Sequence, residues 1–231
     1  MNPSRCLGLV GGLGVGATIH YYSQLAKAHD ADPHGRTLNI VIAHAETSRV
    51  FSYVQANDRP TLAKYLAGFI RCLYAAGAEF AAIPAVTPHY CIRELAATSP
   101  VPVINIFDPL VHELTARSAR RVAIFGTRFV IESALFGELG EVEIISPTPS
   151  EVDFIHNTYV ELARAGKASA DGHEHRDLTT LAQTLIRREA LDAIIFAGTD
   201  LSLVFNPTNT DFPHVDCAAL HLHSILNHLL G

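Results

Sequence analysis

Cysteine is scarce in this chain, with four residues among 231, at positions 6, 72, 91 and 217. They form no C-x-x-C pair and fall far below the density of a disulfide scaffold or a thiolate metal cluster. Reduced thiols are the default for such a pattern. The absence of a cysteine framework therefore predicts a cytoplasmic protein.

An excess of positive charge and long apolar runs are also missing. Lysine and arginine number 17 against 23 aspartates and glutamates, a net charge of −6, which argues against a nucleic-acid surface. No apolar run reaches the length of a membrane span. The first residues enter a short strand without the apolar core of a signal peptide. We therefore expect neither a nucleic-acid nor a membrane partner.

What the chain does contain is a regular alternation of short apolar strands with amphipathic helices. Such alternation predicts an α/β fold with parallel sheets covered by helices on both faces. The expected strands are residues 7–10, 38–43, 80–83, 101–106, 121–125, 142–145, 193–196 and 214–215.

The pattern begins again near residue 106, which predicts two similar Rossmann-like lobes. Turns follow the first and third strands of each half, and their separations nearly agree (85 − 11 = 74 and 198 − 126 = 72). The predicted lobes are residues 1–105 with 216–231, and residues 106–215. Ligands of such folds bind at the carboxyl ends of the strands, so we expect a cleft between the lobes.

Two of these turns share one design. Residues 81–89 and 194–201 each run from an apolar strand through small residues to a threonine, before a predicted helix. Two such turns facing each other could hold a small polar molecule. However, Ala85 and Gly198 offer no reactive side chain at the centre of either turn.

Six segments in order cover nearly the whole chain: 11–14 (G-G-L-G) with Ala17-Thr18, 84–89 (P-A-V-T-P-H), 126–129 (G-T-R-F), 155–156 (I-H) with 161–167 (E-L-A-R-A-G-K), 197–201 (A-G-T-D-L) and 216–221 (D-C-A-A-L-H). Together they resemble the cofactor-independent aspartate/glutamate racemase family. The resemblance implies the racemase fold and an isomerase that needs neither pyridoxal phosphate nor another cofactor. It also allows a homodimer.

The resemblance places the two family cysteines, which act on opposite faces of the substrate α-carbon, at Ala85 and Gly198. The neighbouring family residues are also changed, to Val86 and Asp200. A positioned acid or base contributes about 10²–10⁴-fold to a rate. Two-thiol racemisation is therefore not expected, while binding of a small amino or dicarboxylic acid is.

Side chains near the predicted cleft could bind the carboxylates of such an acid. Threonine hydroxyls and the two basic groups that match family positions are suited to this, although threonines also cap helices and exposed cations are commonly solvated. With the three small residues of the turns, the predicted binding set is Thr18, Arg49, Ala85, Val86, Thr87, Thr127, Lys167, Gly198 and Thr199.

Three other residues are candidates for the proton transfer that the two cysteines perform in the family. Cys217 begins a predicted helix, where a thiol can have a depressed pKa, or it simply replaces a small threonine. His89 and Asp200 follow the two turns and could act as acid–base groups, or could support their neighbours.

Several functions fit these features. An enzyme of the racemase superfamily acting on a small acid stands first, with a cofactor-free lyase or decarboxylase through an enolate-like intermediate as an alternative. A catalytically silent acid-binding homologue is another. Gly12, Gly14 and Ala17, with Glu46 further on, satisfy a relaxed dinucleotide pattern. The pairs His173/His175 and His221/His223 lack further ligands, so no metal is expected.

Overall fold

The computed structural model describes residues 5–35, 37–169 and 172–230. The chain divides into two compact units. Unit 1 comprises the described residues up to Asn105 and those from His221 onward, and unit 2 is Ile106–Leu220. The second junction therefore lies a few residues later than the predicted one at residue 216.

Unit 1 contains a three-stranded parallel sheet of order β2-β1-β3. Strand β1 (Leu7–Gly11) is central and buried along its whole length, between β2 (Ile40–His44) and β3 (Phe80–Ala82). Leu9 of β1 pairs with Ile42 and with Ala82. A continuous apolar run is typical of a parallel strand that helices cover on both faces.

Helices of unit 1 connect and cover these strands. They are α1 (Val15–Asp30), α2 (Thr47–Gln55), α3 (Arg59–Ala75) and α4 (Ile92–Thr98). Helix α3 packs against β1, and Asp58 caps its first turn by accepting a hydrogen bond of 3.0 Å from the Thr61 N–H.

One expected strand of unit 1 does not form. Residues 101–106 make only a single parallel bridge, between Ala81 and Val103. The Ala81 N–H donates to the Pro102 carbonyl and the Ile104 N–H donates to the Ala81 carbonyl, each with an N···O distance of 2.8 Å. Proline has no N–H to give to a ladder, and this limits pairing along the segment.

Unit 2 contains a four-stranded parallel sheet of order β5-β4-β6-β7. The strands are β4 (Arg121–Phe125), β5 (Glu143–Ile144), β6 (Ala193–Phe196) and β7 (His214–Asp216). The helices that accompany them are α5 (Phe107–Ala116), α6 (Arg128–Glu132), α7 (Pro149–Ala165) and α8 (His173–Glu189). The predicted parallel α/β class is confirmed.

One helix of unit 2 is short, and the last helix spans the boundary between the two units. Helix α6 stops at Glu132, because Ala134, Leu135 and Phe136 have left-handed φ angles of 49, 50 and 62° that break the helical hydrogen-bond ladder. Helix α9 (Cys217–Leu230) begins in unit 2 and continues into unit 1. Across the described ranges, we find no helix with both the length and the apolar character that a bilayer crossing requires.

Candidate functional site

The glycine-rich turn after β1 is held by the side chain of Thr18 in the first turn of α1. Gly12 has a φ of 85°, and a Cβ there would clash with the Ala45 carbonyl and lie 2.8 Å from the His44 ring. The Gly12 N–H donates to Thr18 Oγ1 at 3.1 Å, and that hydroxyl donates to the Gly14 carbonyl at 2.9 Å. Thr18, which we predicted to bind a ligand, thus holds the turn in place. The Gly12 N–H, which a nucleotide phosphate would need as a hydrogen-bond donor, already donates to Thr18.

The turn after β3 presents an apolar surface. Ala85 and Val86 are buried, and Thr87 is half-buried at the start of a 3₁₀ helix (Thr87–Cys91). The Ala85 N–H donates to the Ile83 carbonyl at 2.8 Å. A methyl group is therefore the whole side-chain contribution of residue 85.

His89 lies in the buried layer behind this turn. Its Nδ1 donates to the Ala85 carbonyl oxygen at 2.8 Å, which fixes the proton on that nitrogen. Burial lowers the pKa of His89 to about 4, so the ring is neutral at physiological pH. His89 therefore supports the backbone of residue 85.

His221 extends the same buried layer within unit 1. Its Nε2 donates to the Ile104 carbonyl at 3.0 Å, and Nδ1 accepts from the Tyr21 hydroxyl at 3.2 Å. The His89 and His221 rings meet edge to face, with centroids 5.8 Å apart. Burial, together with His89, lowers the pKa of His221 to about 3.

The turn after β6, in unit 2, combines a glycine with buried polar side chains. Gly198 precedes a 3₁₀ helix (Thr199–Leu203), and both Thr199 and Asp200 are almost completely buried, at 2% and 1% exposure. Asp200 Oδ2 accepts a hydrogen bond from the Tyr159 hydroxyl at 3.1 Å. Tyr159 belongs to α7, which packs against this 3₁₀ helix.

Tyr159 occupies the space that a side chain at residue 198 would need. A Cβ built on Gly198 would lie 2.7 Å from Cδ2 and 2.9 Å from Cζ of the tyrosine ring, and closer still to Cε2. The Gly198 backbone, with φ −120° and ψ 112°, is one that any residue adopts. Glycine is therefore required here by the tyrosine and not by the backbone.

The hydroxyl of Tyr159 is held as a phenol. Burial and the Asp200 carboxylate raise its pKa well above the usual value, while a hydrogen bond with Thr199 opposes the shift. We did not predict a role for Tyr159 from the sequence. Its helical spacing from Ile155 and Leu162, both buried, was the available signal, since residues three and four apart share one helix face.

Each of the remaining candidates has a local role or is exposed. Thr127 caps α6, its Oγ1 accepting from the Val130 N–H at 3.3 Å. Arg49 is exposed and pairs with Glu46 at 3.2 Å, which fits an ordinary solvated charge, and Lys167 is exposed just after α7. Each sheet thus collects its own set of turns at its carboxyl edge. The convergence of residues 85 and 198 on one cavity stays a prediction.

Cys217 does not have the environment that a reactive thiol needs. Its side chain is fully buried, and burial together with the Asp216 charge raises its pKa well above the usual value. Asp216 itself caps α9, with Oδ1 accepting from the Ala218 N–H at 2.8 Å. Of the two interpretations of Cys217, this environment favours a small residue in place of threonine, because desolvation outweighs the helix terminus.

This burial predicts a specific labelling pattern. With iodoacetamide at pH 8, we expect native protein to be alkylated at exposed Cys72, while Cys217 reacts only after denaturation. Peptide mass spectrometry reads the site, and Cys72→Ser is the control that should abolish native labelling. Rapid alkylation of Cys217 in the folded protein would contradict its buried, protonated state.

Comparison with known proteins now places the chain. The family model for Asp/Glu/Hydantoin racemase matches residues 10–225. The broad specificity amino-acid racemase RacX of Bacillus subtilis (strain 168) is 26% identical over 147 residues, which are 62% of this chain and 61% of that protein. The aligned part thus spans less than two thirds of the length of this relative.

Solved structures show the same fold. An aspartate racemase homologue from Pyrococcus horikoshii OT3 superposes with a TM-score of 0.79 at 20% identity, covering 98% of this chain and 100% of that one. Picrophilus torridus aspartate racemase gives 0.74 at 15% identity, with coverage of 96% and 93%. Unliganded arylmalonate decarboxylase gives 0.53 at 13% identity, with coverage of 100% and 94%.

Proposed function

Because the chain belongs to the Asp/Glu/hydantoin racemase family, we propose that it is an enzyme acting on a small amino or dicarboxylic acid without a cysteine pair. In this proposal, Ala85 and Gly198 stand where two thiols act in relatives. The reaction proceeds through an enolate-like intermediate, in the cytoplasm and without a cofactor.

One observation carries this proposal: no available thiol lies at either turn. Residue 85 contributes a methyl group, and residue 198 contributes no side chain. Cys217, which directly follows β7, is buried and has a raised pKa. His89 is neutral and bonded to the Ala85 carbonyl. Abstraction of a weakly acidic α-proton by a thiolate is therefore not the expected chemistry.

Loss of carbon dioxide suits such a site better than racemisation. Decarboxylation forms an enolate without a base and then needs a single proton donor, while N–H groups and hydroxyls stabilise the developing oxyanion. The fold shared with arylmalonate decarboxylase supports this choice of reaction.

The test compares two kinds of acid in deuterated water. With aspartate or glutamate, we expect almost no α-deuterium in NMR spectra, because proton abstraction has no thiolate. With phenylmalonate, we expect release of carbon dioxide and α-deuterated phenylacetate. Heat-denatured protein controls for spontaneous decarboxylation. Deuterium exchange of aspartate or glutamate at ordinary enzymatic rates would refute the loss of the two-thiol mechanism.

A second candidate is a catalytically silent acid-binding homologue. The same empty positions at residues 85 and 198 favour it. Calorimetry with malonate and glutamate separates the two, since a silent homologue would bind an acid and convert none.

A further inference from the structure

We propose that the Tyr159 hydroxyl is the proton donor at the second turn, standing in for the thiol that relatives carry at residue 198. The inference rests on the proposed function and adds to it a named catalytic residue. It derives from three features within unit 2: the place of the ring, the contacts of the hydroxyl, and the partial exposure of the residue.

The first feature is mutual exclusion between the ring and a side chain at residue 198. The ring carbon Cζ, which bears the hydroxyl, would lie 2.9 Å from a Cβ on Gly198. The ring and a cysteine side chain therefore cannot occupy this volume together. Since the Gly198 backbone tolerates any residue, the tyrosine is the structural reason for its missing side chain.

The second feature is the pair of contacts that orient the phenolic oxygen. The hydroxyl donates to Asp200 Oδ2 at 3.1 Å, and Thr199 provides a second hydrogen bond. Both partners directly follow Gly198 and are almost completely buried. A group held by the turn itself keeps a defined position relative to any acid that the turn binds.

The third feature is access. Asp200 is buried, whereas Tyr159 is half-buried, so the tyrosine is the member of this pair that keeps part of its surface exposed beside the turn. Its raised pKa keeps the proton on the oxygen at neutral pH. The phenol can therefore deliver a proton but is a poor base, which matches a reaction that needs one donor.

The reaction of a malonate begins with the loss of one of its two carboxylates. The bond from the α-carbon to one carboxylate breaks, carbon dioxide leaves, and the electron pair remains on the α-carbon as an enediolate. The Tyr159 O–H bond then breaks as a C–H bond forms at the α-carbon. The phenolate left behind accepts a hydrogen bond from Thr199 and takes a proton from water, so each turnover consumes one solvent proton.

The primary test uses Tyr159→Phe with phenylmalonate as the probe. Phenylalanine keeps the ring beside Gly198 and removes the hydroxyl. We expect kcat to fall by about 100-fold or more, with KM changed by less than about threefold, as for loss of a general acid. Tyr74→Phe, at an exposed tyrosine of α3, is the matched control and should retain full activity. A Tyr159→Phe variant with unchanged kcat overturns the proposal.

A rescue experiment adds a readout that a purely structural tyrosine would not move. Tyr159→Ala should be inactive, and Tyr159→Ala combined with Gly198→Cys should recover activity, because the thiol then fits. Wild-type activity should persist beyond about pH 10, whereas the rescued variant should lose activity as its thiol ionises near about pH 8.5. Identical alkaline limbs in the two proteins would contradict the proposal.

A binding measurement separates failure of this inference from failure of the proposed function. Malonate added to protein with ¹³Cζ-labelled tyrosine should shift the Tyr159 resonance, assigned by its absence in Tyr159→Phe. If the wild type converts phenylmalonate and Tyr159→Phe does so equally, the proposed function stands and the tyrosine inference falls. If the wild type converts no acid, the proposed function falls, and an unshifted Tyr159 resonance then refutes the tyrosine assignment as well.

Discussion

Introducing a cysteine at residue 198 by itself is expected to destabilise the protein by about 3 kcal/mol, the upper range for overpacking a core. The new Cβ would collide with the Tyr159 ring, whose Cδ2 lies 2.7 Å from its position. Urea unfolding followed by circular dichroism measures the change. Gly198→Ala should act in the same direction, since the clash begins at Cβ.

The control for this prediction is a glycine with room beside it. A Cβ on Gly68 in α3 would meet only the tip of the Arg71 side chain, at 3.9 Å. Gly68→Ala should therefore be neutral, or stabilising by up to about 1 kcal/mol through helix propensity. In a Tyr159→Ala background, Gly198→Cys should lose most of its cost. An equal cost in both backgrounds would show that the ring is not the obstacle.

A second large effect is expected in the pH dependence of stability between about pH 6.5 and 4.5. The pKa values of His89 and His221 lie at about 4 and about 3 in the folded protein, below the ordinary value of about 6.5. Unfolding therefore takes up as many as two protons in this range. The stabilisation is fully present above pH 6.5 and falls by several kcal/mol as the pH drops toward the folded pKa values.

Substitutions that keep the hydrogen bonds isolate the two rings. His89→Asn can still donate to the Ala85 carbonyl, and His221→Gln can still donate to the Ile104 carbonyl. Each should reduce the proton uptake on unfolding by about one, measured as the slope of unfolding free energy against pH. His112→Asn, at an exposed position of α5, should leave the slope unchanged. A wild-type slope near zero in this window would refute the neutral buried pair.

Local features of the fold were predictable from the sequence because they depend on neighbours in the chain. The parallel α/β class followed from apolar runs such as β1 and β6, and the start of α9 at Cys217 followed from the helical spacing after it. The prediction of a strand at residues 101–106 was wrong. Their apolar character resembles a strand, but only one bridge forms around Pro102.

The two turns were predictable in position along the chain, and the contacts around them were less so. The turns at Ala85 and Gly198 lie at strand ends as expected. The sequence left two interpretations of Cys217 open, because the start of a helix can be predicted from sequence while complete desolvation of a side chain cannot. Tyr159 was missed because its partner Asp200 lies 41 residues away in the chain.

The sequence by itself determined the alternating layers, the glycine-rich turn after β1 and the absence of thiols from two strand ends. Only the tertiary structure decided which groups keep or lose protons and what fills the space beside Gly198. The physical reason is that periodicity and turn chemistry are properties of adjacent residues. Burial, and contacts such as the one between His221 and Ile104, 117 residues apart, arise when distant segments pack together.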